Sequence, residues 1–304
     1  MGSIEVTIMK KYVLLIILIP VLLSARELLR GGGATFPYPL YQKWISLYSA
    51  ENDCRISYDP VGSTAGIRGL LNQEYDFGAS DMFLSEKEMA STTETILHIP
   101  TCVGAIVVIY NLPGDPELNF SPGVLSDIFM GKINFWNDSA IQSQNPHVDF
   151  PDLPINVVHR SDGSGTTFLF THFLSHHSHQ WREQVGHAAR VDWPVGMGVE
   201  GNANMAEFTQ RLKGSIAYVE LSFAVKQDLA VANISNAKGV FVKPSLETVS
   251  LAAAVSLPDD ARLFLTDLSS EGGYPISSFS YIIFPQSIRQ QPAKAKTQIG
   301  RAHV

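Results

Sequence analysis

Apolar residues along this chain follow two rhythms, short continuous runs and stripes at helical spacing, and the two alternate along its length. Tyr12 to Leu23 is the first run. Lys10 and Lys11 precede it, Pro20 lies near its end and Ser24-Ala25 are small, so residues 1–25 read as a signal peptide, with Met9 as the alternative start. The run is too short for a membrane span. After Gly31-Gly32-Gly33-Ala34-Thr35-Phe36-Pro37, a stripe holding Leu40, Tyr41, Trp44, Ile45, Leu47 and Tyr48 predicts a helix over Tyr38–Tyr48. Arg55–Tyr58 reads as a strand. Gly62-Ser63-Thr64-Ala65-Gly66 leads into Ile67, Leu70 and Leu71 at helical spacing, with Ser63 the expected N-cap. Phe77 and Ala79 alternate with small or polar residues in a short strand. Asp81 lies at its carboxyl end, where it serves either a ligand or the helix starting near Ser85.

Val103–Tyr110 is the longest apolar run of the mature chain and suits a buried strand or an interdomain crossing. Ser121–Trp136 is helix-like, with Leu125, Ile128 and Phe129 before Gly131. Ile155-Asn156-Val157-Val158 predicts a buried strand, and Thr167–Leu174 the helix after it. Trp193–Gly198 reads as a glycine-bearing loop and Asn204–Leu212 as a helix ended near Gly214. Ser215–Val219 and Phe279–Phe284 read as strands, the latter closed by Pro285. Alternating strands and helices argue for an α/β fold.

Composition narrows the function. The chain has 304 residues, enough for one large or two medium domains. It is 45% hydrophobic and carries a formal net charge of −7, with no basic run of the kind that tracks phosphate backbones, which argues against nucleic acid as a partner. The two cysteines, Cys54 and Cys102, exclude a zinc site built on thiolates alone. They form one disulfide or, the preferred reading, are two small buried hydrophobes.

The stretch with the clearest chemistry is Arg160-Ser161-Asp162-Gly163-Ser164-Gly165-Thr166-Thr167-Phe168, a strand end, a polar glycine-rich turn and a helix start. The first N–H groups of a helix lack partners and its macrodipole is positive there. The glycines admit a close backbone approach. Arg160 adds a planar, permanently charged fork. The turn is either an ordinary capped connection or the seat of a small tetrahedral anion. It is not a nucleotide P-loop, because no Lys follows the glycines, nor a nucleophile elbow, because residues 162 and 166 are Asp and Thr.

Turns 33–36, 62–66 and 160–167 each place Gly, Ser or Thr where a helix begins. With Asp76-Phe77-Gly78-Ala79-Ser80-Asp81, Asp127–Ile133 and Gly214–Glu220, they run in the order seen in periplasmic phosphate-binding proteins of phosphate-uptake ABC transporters, a family this chain resembles from about residue 31 to about residue 285. The resemblance implies a two-lobed periplasmic-binding-protein fold of type II, with two crossings between lobes and the anion in the cleft. One lobe would be residues 27–105 plus 275–304 and the other 106–274. Carried over by residue, the phosphate ligands would be Thr35, Phe36, Ser63, Asp81, Arg160, Ser164, Gly165 and Thr166, with Asp162 holding Arg160. The family implies a non-enzymatic, exported receptor with no cofactor, whose partners are inorganic phosphate and the membrane permease. A monomer is expected.

Asp81 suggests a basis for selectivity. An ionised carboxylate only accepts hydrogen bonds, so it suits an anion that brings its own proton, as phosphate does and sulfate does not. The rival readings are a secreted phosphate-binding module for sensing or adhesion, and a secreted phosphatase, which lacks a supporting His or Asp constellation around Ser164. His172, His176, His177 and His179 read as a solvated helix end in preference to a metal site. Asn119, Asn137 and Asn233 begin N-glycosylation patterns that matter only in a eukaryotic secretory route. The family continues past the strand at 279–284, and residues 299–304 read like translated sequencing-adapter DNA, so a truncated carboxyl end is expected.

Overall fold

The computed structural model describes residues 27–266 and 272–287; the signal-peptide reading of residues 1–25 and that of residues 299–304 fall outside them. The chain opens as β1 (Glu27–Gly33), α1 (Tyr38–Glu51), β2 (Cys54–Asp59), α2 (Ser63–Leu71) and β3 (Phe77–Ser80). β1 lies between β2 and β3, parallel to both, with Leu29 opposite Ile56 and Gly33 opposite Ala79. The carboxyl ends of all three strands therefore point the same way, towards residues 34–36, 60–63 and 81.

α3 (Glu86–Ser91) follows, opened by a capping box between Ser85 and Glu88. That cap removes the reading of Asp81 as the residue serving this helix. Ser63 is not an N-cap either. Gly62 occupies the cap position at φ +88°, a conformation that favours glycine, and Ser63 is the first helical residue with its hydroxyl turned elsewhere.

β4 (Ile96–Tyr110) runs for 15 residues and changes partner midway. Ile96–Ala105 pair antiparallel with β12 (Ser277–Pro285), and Ile106–Tyr110 pair antiparallel with β8 (Ser215–Glu220). Residues 104–110 are all buried, which explains the uninterrupted apolar run there. Pro100, which cannot donate to the ladder, pairs with Tyr281 beside the register shift between Ser280 and Tyr281.

Between these strands lie β5 (Asn119–Phe120), α4 (Pro122–Phe129), α5 (Ser139–Gln144), β6 (Asn156–Arg160), α6 (Gly165–His177), α7 (His179–Gln184), β7 (Met197–Val199) and α8 (Gly201–Arg211). α9 (Leu221–Lys226), β9 (Ala230–Val231), β10 (Asn233–Ser235), β11 (Phe241–Val242) and α10 (Leu246–Ala252) lie between β8 and β12. The main sheet has the order β2-β1-β3-β12-β4-β8-β6-β7, with β9 also on β4. A small sheet, β11-β10-β5, is hydrogen-bonded separately and contributes Phe120, Ile234 and Val242 to the same core as β4 and β8.

Several boundaries differ from the sequence reading. α4 stops at Phe129, because Gly131 at φ +72° reverses the chain, and Trp136 turns inward to donate from Nε1 to the Gly214 carbonyl at 3.0 Å. α8 begins at Gly201, three residues before the expected start, and a short strand, β7, occupies the end of the expected loop at 193–198.

Burial follows the two halves of the sheet. Around β8 and β6, Phe129, Trp136, Phe170, Phe173, Trp181 and Tyr218 belong to one large core. Around β1, β3 and β12 the core divides over the two faces, with Ile67, Leu70, Leu84 and Ile283 in one cluster and Leu29, Ile56, Phe77 and Phe284 in another. Cys54 and Cys102 are free thiols, Cys54 buried beside Leu29 and Ile56. Among the described residues no helix is long and apolar enough to cross a membrane.

Candidate functional site

The carboxyl ends of β1, β2 and β3 face the carboxyl end of β6 and the first turn of α6. On the β1 side the chain must turn sharply. Gly33 has φ +143°, and a Cβ there would lie 2.0 Å from the Ala79 carbonyl oxygen. The turn delivers Thr35 and buried Phe36, whose ring lies where a Cβ on Gly104 of β4 would be. Ser63 Oγ accepts the Asp81 backbone N–H at 3.3 Å and donates weakly to Asp81 Oδ2 at 3.5 Å. Ser280, across on β12, donates to Asp81 Oδ1 at 2.8 Å. Asp81 is 1% exposed, and burial pushes its carboxyl up to about 7 despite these two hydroxyl donors and the Arg160 charge.

On the other side, Arg160 closes β6 with its guanidinium 1% exposed. Nε donates to Asp162 Oδ1 at 2.6 Å and Nη2 to Asp162 Oδ2, a bidentate fork. Burial alone would raise the Asp162 carboxyl, but the Arg160 bond and charge outweigh it and hold the group below the usual range. The third guanidinium nitrogen, Nη1, is buried and has no hydrogen-bond partner among the described residues. Leaving such a donor dry and unpaired is costly, so it marks a place for an acceptor. The Arg160 backbone N–H donates to Tyr218 Oη at 3.1 Å, and that hydroxyl also bonds Thr167 Oγ1 at 2.7 Å. Ser164 caps α6, accepting the Thr167 N–H at 3.1 Å. The N–H groups of Gly165 and Thr166 lie in the first helical turn, where intrahelical acceptors are lacking.

The two sides touch. The Thr64 N–H donates to the Gly163 carbonyl at 3.3 Å. A Cβ on Gly62 would lie 2.8 Å from Asp162 Oδ2, and one on Gly165 would lie 2.5 Å from Ser63 Oγ and 2.9 Å from Asp81 Oδ2. Asn202, in the first turn of α8 and fully buried, donates from Nδ2 to Thr35 Oγ1 at 2.8 Å and to Thr166 Oγ1 at 3.3 Å. The structure thus gathers Thr35, Ser63, Asp81, Arg160, Asp162, Ser164, Gly165 and Thr166. Phe36 joins them through its neighbour Thr35 and its packing on Gly104.

Three residues here escaped the sequence reading: Asn202, Ser280 and Tyr218. Ser277, Ser278 and Ser280 form a cluster of polar residues in an otherwise apolar strand, and all three are buried, a pattern that points to a partner such as Asp81. Gly201-Asn202 ahead of a helix was the other available signal.

The histidines lie apart from this cluster. His172 packs edge-on to His187 and near Phe168 and Phe264, and His177 packs near Phe173. No group of three or more His, Cys, Asp or Glu among the described residues is arranged to hold a metal ion.

Two sheet halves joined by a shared long strand, with polar turns converging between them, define a two-lobed substrate-binding protein of the α/β type. A family model for the PBP superfamily domain matches residues 23–297. The solved ABC-type phosphate transport receptor of Vibrio cholerae shares the fold, with a TM-score of 0.60 at 17% identity, over 91% of this chain and 93% of that one. The phosphate-binding protein PstS of Xylella fastidiosa is 40% identical over 276 residues, 88% of this chain and 74% of that protein. That of Pasteurella multocida is 39% identical over 267 residues, 86% and 77% of the two chains. The chain belongs to the PstS family of phosphate-binding proteins.

Proposed function

We propose that this chain binds inorganic phosphate between its two lobes and delivers it to the membrane permease of a phosphate-uptake ABC transporter. The observation that carries the reading is Arg160 Nη1, a buried, unpartnered donor beside the first turn of a helix and across from a buried carboxylate, Asp81. The membership of the family supports the same ligand. The eight residues Thr35, Phe36, Ser63, Asp81, Arg160, Ser164, Gly165 and Thr166 form its binding shell, and Asp162 orients Arg160 within it. The lobes are residues 27–105 with 275 onwards, and 106–274, so that β4 supplies one crossing. The receptor acts outside the cytoplasm and without catalysis. In support, the relatives it matches are named phosphate-binding proteins.

Asp81 selects phosphate over sulfate, because its carboxylate needs a proton from the ligand. Calorimetric titration of the purified protein at pH 8 tests both claims. Phosphate should bind more tightly than sulfate, and Asp81→Asn should bring the two affinities together. Absence of phosphate binding by folded protein would overturn the function, and unchanged selectivity in Asp81→Asn the role of Asp81.

A further inference from the structure

Asn202 occupies a position from which it reaches both lobes. Gly201, at φ +74°, starts α8 in a conformation that favours glycine, and its N–H donates to Asp162 Oδ1 at 3.2 Å. The same turn buries the Asn202 amide completely. Its orientation is fixed by chemistry. The Glu220 backbone N–H, a donor only, lies 3.2 Å from Oδ1, so the carbonyl end must face it and the NH2 end must face Thr35 and Thr166. Both hydrogens of Nδ2 are then directed to threonine hydroxyl oxygens.

A threonine hydroxyl has one proton and two lone pairs. When Oγ1 accepts from Asn202, its own O–H is free to donate to a third group. Thr35 and Thr166 stand among the anion-site residues, and an anion can only accept. We infer that Asn202 is a positioning residue for phosphate, which turns two hydroxyls from opposite lobes into obligate donors and ties the lobes together through them. The inference rests on the proposed phosphate function.

Asn202→Asp keeps size and shape but replaces two donor hydrogens with an acceptor. Both threonines must then spend their protons on the carboxylate, and a negative charge enters the site. Asn202→Ala removes the orientation without reversing it. Calorimetry with inorganic phosphate at pH 8 should show Asn202→Ala weakened about 10-fold and Asn202→Asp about 100-fold or more. In a Thr35→Val/Thr166→Val background, where no hydroxyl remains to orient, Asn202→Ala should cost less than about 2-fold further. A purely structural asparagine would give the same loss in both backgrounds, and equal binding by Asn202→Ala and Asn202→Asp would likewise overturn the inference. Failure of the wild-type protein to bind phosphate would instead remove the functional reading, and this inference with it. If the variants do not fold, the wild-type Asn202 side-chain amide decides. Its two protons should be resolved by NMR and protected from solvent exchange in the phosphate complex, and rapid exchange of both would overturn the inference.

Discussion

Asp162 grips Arg160 through two parallel bonds, Nε to Oδ1 at 2.6 Å and Nη2 to Oδ2, and leaves Nη1 without a protein partner among the described residues. The carboxylate fixes the plane of the fork and compensates a cation with almost no access to water. Removing one partner of a buried pair leaves an uncompensated charge. Asp162→Ala should therefore destabilise the phosphate-free protein by about 3 kcal/mol. Bound phosphate supplies a new counter-charge, so its stabilising increment should be larger in Asp162→Ala than in the wild type. Chemical denaturation with and without phosphate checks both effects, and equal increments would contradict this account.

Gly165 separates binding from stability. A Cβ there would meet Ser63 Oγ at 2.5 Å and Asp81 Oδ2 at 2.9 Å, both from the opposite lobe. The side chain fits only if the lobes stand further apart. At the first position of its own helix, alanine is tolerated without loss. Gly165→Ala should thus weaken phosphate binding by about 100-fold, since the donors of the two lobes no longer converge on one ligand. Its thermal stability without phosphate should be unchanged or slightly raised. A fall in stability matching the fall in affinity would show that the glycine serves the fold and not closure.

Much of this arrangement is legible in the sequence because backbone chemistry is local. Glycine followed by Ser or Thr before an apolar stripe marks a helix start, and such turns place residues 35, 63 and 164–166 at strand ends. The apolar run at 103–110 marks β4 for the same reason. What is not local is less visible. Gly62, not Ser63, is the cap of α2, because the Ser63 hydroxyl has a stronger claim from Asp81, just past the end of β3. Ser280 and Asn202 find their partners 199 and 167 positions away in the chain, and no spacing rule reaches that far.

Two buried carboxylates make stability depend on pH. Burial pushes both Asp81 and Glu220 up to about 7, with Asp81 adding repulsion to Glu220. In the unfolded chain both titrate near 4. Between about pH 4 and 7 the folded state therefore holds more protons than the unfolded state, and stability must fall as pH rises. For Asp81 alone the full change is on the order of 4 kcal/mol. Urea denaturation of phosphate-free protein across this window should show the decline, and Asp81→Asn should remove roughly half of the slope, the rest belonging to Glu220. A wild-type stability that rises through the window would contradict the buried, proton-holding state of these groups.

The same titration controls which anion enters. Above pH 7 Asp81 is ionised and can only accept, so sulfate, which brings no proton, faces it lone pair to lone pair. Protonated Asp81 becomes a donor and the conflict disappears. Sulfate binding is then linked to the uptake of one proton by a group that titrates at about 7 in the phosphate-free protein. Sulfate affinity should rise about tenfold per unit as pH falls from about 9 to 7, and level off below that. In Asp81→Asn the amide offers a donor at every pH, so sulfate affinity should be flat over the same range and near the wild-type value at low pH. Calorimetric titration with sulfate at a series of pH values distinguishes the two curves. A wild-type curve as flat as that of Asp81→Asn would show that discrimination does not pass through the Asp81 proton.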